Sequence, residues 1–225
     1  MNTANDEVIN AYQKLYLQHG YSPKSLGWDK GKQFLRFHQL TSDWNLSGAR
    51  ILDVGCGFGD FIKYLRLLNT SGYIYTGIDM VGEFISEGKR RYSAENISLI
   101  QEDFLAHTFN DTFDYAIASG TFNLKIKGVD GYEYIYKNMK RMFELSSKAI
   151  SIDFISDKVD IFYEHNFNSS PERILSMAYS LSRNVILKNN YFPFEFSITI
   201  YKNDSFRKET TIFTEVEKKM AWLAV

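Results

Sequence analysis

Apolar and polar positions follow two alternating periods along most of the chain. Short apolar runs bounded by turn residues predict buried strands, and apolar residues spaced three and four apart predict helices that pack on a sheet. Strands are predicted at 50–54, 73–78, 97–101, 113–119, 149–155, 185–189 and 194–201. Helices are predicted around 8–16, over 29–42, over 61–68, and over 81–92, 131–145 and 171–182. This order predicts an α/β fold, with right-handed crossovers and a mainly parallel sheet that carries helices on both faces.

The last two predicted strands break the alternation. Only residues 190–193 separate them, which is too short for a crossover helix, so they predict an antiparallel hairpin. Within 194–201 apolar and polar residues alternate, and this pattern predicts a strand with one exposed face.

Nothing in the sequence divides the chain by a repeat or a Pro/Ser-rich linker. We therefore expect one α/β domain over 46–204, preceded by a helical cover at 1–45 and followed by a tail at 205–225. Apolar residues in the tail recur at roughly helical spacing, at 212, 213, 216, 220 and 223. The tail could pack against its own domain or swap into a neighbouring copy.

Composition narrows the classes of function. A chain of 225 residues buries enough surface to fold without disulfides or a structural metal. The 26 Lys and Arg nearly balance the 27 Asp and Glu, which argues against a nucleic-acid partner. Cys56 is the only cysteine, and no histidine and carboxylate cluster has ligand spacing, so we expect no metal. No apolar stretch approaches the ~18 residues of a membrane span and no signal peptide is evident, so we expect a cytoplasmic protein without a membrane partner.

The most informative segment is Ile51-Leu-Asp-Val-Gly-Cys-Gly-Phe-Gly-Asp-Phe. A strand that runs into three alternating glycines and then a helix is typical of a ligand-binding turn, because the bare backbone can approach a bound molecule and the helix adds unpaired N–H donors. Asp79 ends the next strand, where a carboxylate can accept two hydrogen bonds from a ribose diol. The alternatives are a glycine turn used for packing and an Asp79 that only caps a helix.

The sequence of this turn does not match the motifs of two other nucleotide-binding classes. The third glycine of the dinucleotide fingerprint would fall on Asp60, and the Gly-Lys-Ser/Thr of a P-loop is absent. Asp-Val-Gly-Cys-Gly-Phe-Gly instead resembles the first motif of the class I S-adenosylmethionine-dependent methyltransferases, over roughly residues 51–201. The resemblance implies S-adenosylmethionine as cofactor. It also implies a three-layer Rossmann-like fold whose seven-stranded, mostly parallel sheet ends in an antiparallel hairpin.

The resemblance also implies roles for the residues around the cofactor. Those expected around its methionine portion are Asp53, Gly55, Gly57 and Gly59, with Cys56 among them as a small packing residue. Asp79 is expected to bind the ribose and Met80 to pack on the adenine. In Gln101-Glu-Asp-Phe, Asp103 would accept from the adenine amino group and Phe104 would cover the ring. After the fourth strand, Ser119 and Gly120 are expected beside the methylthio centre, with Phe122 and Asn123 facing the substrate.

The N-terminal segment strengthens the resemblance. Ser22-Pro-Lys-Ser-Leu-Gly-Trp followed by Lys32-Gln-Phe-Leu-Arg-Phe is similar to a set of small bacterial methyltransferases. Gln33 and Arg36 lie three apart and so share a helix face. A guanidinium can form two parallel hydrogen bonds to a carboxylate, which leads to the hypothesis that Arg36 binds the cofactor's carboxylate with help from Gln33. The alternative is an exposed Arg36 that pairs with solvent or with a surface aspartate.

The catalytic base is the weakest signal. Histidine is the default base near neutral pH, and His165 follows the fifth strand, where this fold inserts substrate-binding structure. Asp153, within that strand, is a comparable candidate. The insert is aromatic, and Phe162 and Tyr163 are candidate substrate contacts because sugars stack on such rings. The 15 Tyr and 18 Phe of the chain are otherwise assigned to the core.

These observations predict a monomeric or homodimeric methyltransferase acting on a small molecule, with oxygen of a sugar or a sugar-derived metabolite as the first candidate. Alternatives are methylation of nitrogen or a carboxylate, and a cofactor-binding subunit that has lost catalysis. An RNA or protein methyltransferase is a further alternative. The balanced charge and the Ser119-Gly-Thr-Phe-Asn sequence after the fourth strand argue against RNA.

Overall fold

The computed structural model describes residues 3–27 and 32–220. The N-terminal part holds α1 (Thr3–His19), a 3₁₀ turn (Pro23–Leu26) and α2 (Gln33–Thr41). Trp28 and the predicted helix start at Asp29 lie outside the described residues. The α/β part contains β1 (Arg50–Val54), α3 (Phe61–Leu67), β2 (Ile74–Asp79), α4 (Gly82–Arg91), β3 (Ile97–Gln101), β4 (Phe113–Ala118), α5 (Gly131–Leu145), β5 (Ser146–Ile155), α6 (Pro171–Tyr179), β6 (Val185–Lys188) and β7 (Glu195–Tyr201).

The seven strands form one sheet in the order β3-β2-β1-β4-β5-β7-β6. Strands β1 to β5 pair in parallel, and β7 pairs antiparallel with both β5 and β6. The Rossmann-like fold with its antiparallel hairpin is therefore confirmed. No helix formed by the described residues is long and apolar enough to cross a membrane.

Strand β7 departs from the sequence prediction in one respect. It lies inside the sheet, and residues 195–200 are all buried, so the prediction of one exposed face is wrong. The physical reason is that α2 packs on β5 and β7 and covers polar side chains that the alternation assigns to solvent. Among them, Glu195 is 3% exposed and Thr199 is 4% exposed.

Helix α1 packs beside the glycine turn and α4. Tyr12 and Tyr16 make edge contacts with Phe84, with ring centroids 5.9 and 6.0 Å apart, and Tyr16 also contacts Phe58. Asn5 adds a polar contact, since its Nδ2 donates to Asp103 Oδ2 at 2.8 Å. The N-terminal segment thus covers the end of the sheet where β1 and β2 finish.

The tail forms a small hairpin-like unit and a short helix. Phe206 and Phe213 make an isolated antiparallel bridge, and α7 spans Thr214–Lys219. The Asn203 side chain donates to Thr214 and Glu215, which fixes the start of α7 beside the end of β7. Residue Leu223 of the predicted helical pattern lies outside the described residues.

Candidate functional site

A cavity of about 460 Å³ lies at the carboxyl ends of β1, β2 and β4. Ligands of open parallel sheets bind at this edge, where the strand order reverses, and 460 Å³ is in the range of small-molecule sites. Four segments supply most of the described lining: residues 53–57 at the end of β1, 78–81 at the end of β2, 102–104 after β3, and 119–122 with 124–131 after β4. Val8, Tyr12, Leu26, Gln33 and Phe37 add lining from the N-terminal segment.

The glycine turn gives the cavity a bare backbone wall. Gly55 and Gly57 have φ of 68° and 55°, a region that disfavours side chains. A Cβ on Gly55 would lie 2.5 Å from the Thr121 side chain, and one on Gly57 would lie 2.8 Å from Leu26. Glycine is thus required here both by backbone conformation and by close packing.

Asp53 supplies a buried carboxylate to the cavity. It is 3% exposed, and Tyr75 donates its hydroxyl hydrogen to Oδ2 at 2.7 Å. Burial raises the pKa of Asp53 to about 7, and the charges of Asp79 and Asp60 add to the rise while the Tyr75 hydrogen bond opposes it. No cation among the described residues pairs with this carboxylate, so a cationic ligand group would relieve its burial.

Asp79 is fixed by two backbone amides. Gly57 N donates to Oδ2 and Val81 N donates to Oδ1, each at 2.9 Å. Asp79 thus contacts the backbone at the start of α4 and also lines the cavity. The helix-capping role and the ligand-binding role that the sequence left open are therefore compatible. Each carboxylate oxygen keeps a second lone pair, which suits a diol.

The far end of the cavity combines a carboxylate with apolar surface. Asp103 accepts from Leu105 N at 2.9 Å and from Asn5, which leaves acceptor capacity for an amino group. Phe104 is 5% exposed and Met80 is half-buried, and both line the cavity. This combination suits a flat heterocycle with an exocyclic amine.

Cys56 is a packing residue in this structure. It is 6% exposed, and its Sγ would lie 2.8 Å from a Cβ placed on Gly77. Burial, together with the charges of Asp53 and Asp79, raises the pKa of the thiol well above its usual value. The thiol therefore stays protonated near neutral pH and is not a nucleophile there.

Four further predicted residues line the cavity, whereas the predicted Gly59 does not. Ser119, Gly120 and Phe122 line it after β4, and Gln33 lines it from the first turn of α2. Gly59 does not line it. Its φ is 79° and a Cβ there would lie 3.3 Å from Leu99, so this glycine permits α3 to begin close to the sheet.

Arg36 contradicts its predicted role. The side chain is buried, Nε donates to Glu195 Oε2 at 2.8 Å, and Nη2 pairs with Glu195 Oε1. The two parallel hydrogen bonds assigned to the cofactor carboxylate thus go to a carboxylate of the chain itself. Arg36 is absent from the cavity lining.

The predicted base and the aromatic insert also lie elsewhere. His165 is exposed, and Phe162 and Tyr163 are 62% and 57% exposed, and none of the three lines the cavity. The insert contacts the segment after β4 through its backbone, since Lys125 N donates to His165 O at 2.9 Å, and Phe167 is the insert residue whose side chain lines the cavity among those described. Position after the fifth strand did not predict contact with the cavity, because residues 161–165 are exposed and residues 124–131 supply the lining at this end.

Asn123 and Asp153 support the site from behind. Asn123 is 7% exposed and its Oδ1 accepts from Ile155 N at 2.8 Å, so it joins β5 to the segment after β4. Asp153 is 1% exposed and accepts from Ser119 Oγ at 2.7 Å and Gly120 N at 2.6 Å. Neither side chain lines the cavity, so the structure places both behind the wall and not at the position expected of a substrate contact or a base.

The sequence did not single out residues 124–131 as part of the site. They line the cavity together with two aromatic residues, Tyr134 and Phe167. Asp130 caps α5 by accepting from Tyr132 N and Glu133 N. An aspartate before a helical pattern is a typical N-cap, so the sequence does indicate where this segment ends and α5 begins. Phe167 is placed by Gly131, where a Cβ would lie 2.3 Å from its ring, a contact that local patterns do not reveal.

The fold and the cavity define a binder of a nucleoside-containing cofactor. Comparisons with known proteins agree. A family model described as a methyltransferase domain matches residues 45–190. A methyltransferase of Mycobacterium tuberculosis is 26% identical over 68% of this chain and 92% of its own length. The demethylmenaquinone methyltransferase of Staphylococcus aureus is 28% identical over 72% of this chain, and the match spans 66% of that enzyme.

The solved structures show the same fold. Magnesium protoporphyrin IX methyltransferase from Synechocystis, with bound S-adenosylhomocysteine, aligns with a TM-score of 0.62 at 12% identity. The alignment covers 88% of this chain and 95% of that one. Because the family model spans well over half of the sequence, this chain belongs to the methyltransferase-domain family, within the class I S-adenosylmethionine-dependent methyltransferases that its glycine motif resembles.

The cavity fits that cofactor by its own chemistry. It offers Asp53, a buried carboxylate that pairs with no cation among the described residues, for an ammonium. It also offers the fixed Asp79 carboxylate for a diol, and the Asp103 acceptor beside apolar surface for an aminated ring. Gly55 and Gly57 supply bare backbone to the lining, and their missing Cβ atoms let Thr121 and Leu26 pack against this turn. No group of three or more His, Cys, Asp or Glu among the residues described here could hold a metal ion.

Proposed function

We propose that the cavity holds S-adenosylmethionine through polar contacts to its charged and hydroxyl groups and apolar contacts to its ring. Asp53 binds the ammonium, Asp79 the ribose hydroxyls, and Asp103 the adenine amino group. Ser119 and Gly120 lie beside the sulfur, while Met80 and Phe104 pack on the adenine. The bound cofactor supplies an electrophilic methyl group on a positively charged sulfur. Asp53 carries the proposal most directly, because a buried carboxylate without a cationic partner suits the ammonium of this cofactor.

Gln33 replaces Arg36 as the proposed contact for the cofactor's carboxylate. It is the first residue of α2, where backbone N–H groups are unpaired and the helix end carries partial positive charge. Its amide nitrogen can donate to a carboxylate oxygen. This contact needs no guanidinium in the cavity, which agrees with the pairing of Arg36 to Glu195.

We propose a small-molecule acceptor. The cavity volume of about 460 Å³ has to hold the cofactor as well as the acceptor, and residues 124–131 cover its substrate end. The described residues at that end are largely apolar, including Phe122, Ile126, Val129, Tyr134 and Phe167. A polymer chain would have to displace this segment, whereas a small molecule fits beneath it.

Catalysis by this chain then rests on positioning and exclusion of water. No histidine among the described residues lines the cavity, and burial raises the pKa of Tyr134 to about 12, which makes it a poor base at neutral pH. Holding the acceptor in line with the methyl group converts a bimolecular step into one within a complex, which by itself lowers the barrier by several kcal/mol. An acceptor atom that is already nucleophilic needs no base. For a hydroxyl acceptor, Lys125, Lys127 and Asp130 are described ionisable side chains that line this end of the cavity.

Two acceptor classes compete. Oxygen of a sugar or a sugar-derived metabolite is one, with Phe122, Tyr134 and Phe167 as the rings on which it would stack. The apolar lining favours a second class, an acceptor with an aromatic or quinone-like ring, and a relative at 28% identity is named a demethylmenaquinone methyltransferase. A cofactor-binding subunit without catalysis is the alternative from outside enzymes.

The experiment is incubation of the protein and S-adenosylmethionine with a polar and an apolar fraction of a bacterial extract. The proposal predicts that a small molecule in one fraction gains one CH₂ by mass spectrometry, with equimolar S-adenosylhomocysteine. Gain in the polar fraction supports the sugar class, and gain in the apolar fraction supports the ring class. The matched control is Gly55→Ala, which fills the glycine wall. Binding of cofactor with no product in either fraction would favour the subunit without catalysis.

A further inference from the structure

The segment after β4 is held from behind by one buried carboxylate. Asp153 Oδ2 accepts from Ser119 Oγ at 2.7 Å, and Oδ1 accepts from Gly120 N at 2.6 Å. Both donors belong to residues that line the cavity, whereas Asp153 is 1% exposed and lies outside the lining. The Asp153 side chain of β5 therefore fixes the positions of both the Ser119 hydroxyl and the Gly120 amide.

A second buried carboxylate lies next to the first. Glu195 on β7 pairs in register with Ile155, two residues along β5 from Asp153. Burial raises the pKa of Asp153, the charge of Glu195 raises it further, and the charge of Arg36 opposes the rise. Arg36 pairs with Glu195 and also lies over the Phe192 ring at 5.2 Å, so one cation offsets part of the charge of two buried acids.

The cation belongs to the helix that supplies Gln33. Arg36 lies one turn after Gln33 on α2, and Gln33 lines the cavity. The pair of Arg36 with Glu195 therefore anchors the start of α2, and Asp153 anchors the end of β4. Two parts of the cavity wall that are far apart in sequence meet the same buried charges.

We propose that Asp153, Glu195 and Arg36 form a positioning network that holds Ser119, Gly120 and Gln33 in the arrangement that binds the cofactor. The inference rests on the proposed function, because the effect of the network is measured as affinity for S-adenosylhomocysteine. Asp153 is the central member, because it alone contacts the cavity wall directly.

Two substitutions at Asp153 separate this role from simple loss of stability. Asparagine keeps both contacts, because its Oδ1 can accept from Gly120 N and its Nδ2 can donate to Ser119 Oγ. Alanine removes both. The matched control is Thr199→Val, which breaks the buried hydrogen bond between Ser151 and Thr199 in the same two strands without touching the cavity wall.

The experiment is calorimetric titration of each full-length variant with S-adenosylhomocysteine. The network predicts that Asp153→Ala weakens binding by about tenfold or more, that Asp153→Asn stays within about threefold, and that Thr199→Val stays within about twofold even where it lowers the melting temperature. Equal affinities for Asp153→Ala and the wild type would overturn the inference, as would an equal loss in Thr199→Val.

Coupling between the two anchors is tested with Arg36→Met. If the three residues act as one network, the losses of affinity in Arg36→Met and Asp153→Ala do not add in the double variant. Losses that multiply in full would show two independent supports and would contradict a shared network.

A measurement without cofactor separates failure of the network from failure of the proposed function. The Gly120 amide proton, which donates to a carboxylate, is expected far downfield in a ¹⁵N-resolved NMR spectrum and upfield of that position in Asp153→Ala. If Asp153→Ala does not fold, Asp153→Asn supplies the test, since its neutral oxygen also moves this proton upfield. An unmoved Gly120 proton contradicts the network. A moved proton in a protein that binds no sulfur nucleoside contradicts the proposed function and the benefit to binding that we assign to the network.

Discussion

Arg36 and Glu195 form a buried ion pair that joins α2 to β7 across 159 positions of sequence. Both side chains are nearly inaccessible, at 6% and 1% exposure, and the contact uses two guanidinium nitrogens and both carboxylate oxygens. The pair explains why a polar strand face can be buried under an N-terminal helix. It also removes the most basic residue of α2 from the list of cofactor ligands.

Breaking this pair is expected to destabilise the fold strongly. Arg36→Ala leaves Glu195 buried without its cation, which should lower the free energy of unfolding by about 3–5 kcal/mol. The double variant Arg36→Met and Glu195→Leu removes both charges and should recover much of that loss. Urea unfolding followed by circular dichroism measures both. A double variant as unstable as Arg36→Ala would show that shape, and not the unpaired charge, dominates.

The affinity for the cofactor is expected to depend on pH through Asp53. Burial raises the pKa of its carboxyl to about 7 in the free protein, and an ammonium ligand favours the ionised form. Below that pH the group must release a proton on binding, so affinity should fall by up to about tenfold per pH unit as the pH is lowered. Titrations with S-adenosylhomocysteine in buffers of different ionisation enthalpy measure the affinity and the protons released. A profile in the wild type that is as flat as that of Asp53→Asn would contradict this assignment.

The same carboxylate is expected to reduce stability at high pH. Its folded pKa of about 7 lies above its ordinary value of 3.8, so the folded state holds the proton more tightly and stability falls as the pH rises between these values. Asp53→Asn lacks this titration. The stability of the variant relative to the wild type should therefore rise by roughly 2–4 kcal/mol from about pH 4 to about pH 8. Urea unfolding at several pH values tests this, and a difference independent of pH would refute it.

Two glycines with similar backbone conformation provide a test of the glycine wall. Gly55 and Gly48 have φ of 68° and 70°, so alanine costs about 1–2 kcal/mol of backbone strain at either site. A Cβ at Gly48 meets nothing within 4 Å, whereas one at Gly55 would lie 2.5 Å from Thr121. Gly55→Ala should therefore abolish binding of S-adenosylhomocysteine, and Gly48→Ala should retain it. Calorimetric titration of both variants measures this difference. Equal affinities would show that the structure around residue 55 can accommodate the added Cβ.

The fold was largely predictable because its signals are local. The run from Arg50 to Val54 and the glycines that follow it are adjacent in sequence, and Asp79 ends the next strand along the chain. The four segments after β1 to β4 could be assigned from the order of strands alone, since parallel strands end at one edge. Met80, Asp103 and Phe104 line the cavity for that reason.

The contacts that escaped prediction are all long-range. The partner of Arg36 is a glutamate on the last strand, and sequence alternation placed that glutamate in solvent. His165, Phe162 and Tyr163 were chosen for residue type, but none of the three lines the cavity, whereas residues 124–131 and Phe167 do. Neither local periodicity nor composition records which distant element covers a given face.

The central claim is that this cavity binds S-adenosylmethionine. The most direct measurement is calorimetric titration of the wild-type chain with S-adenosylmethionine, S-adenosylhomocysteine and NAD under one condition. The account predicts that both sulfur nucleosides bind one molecule per chain, that Asp79→Ala loses them, and that NAD gives no heat of binding. Binding of NAD without either sulfur nucleoside would contradict it.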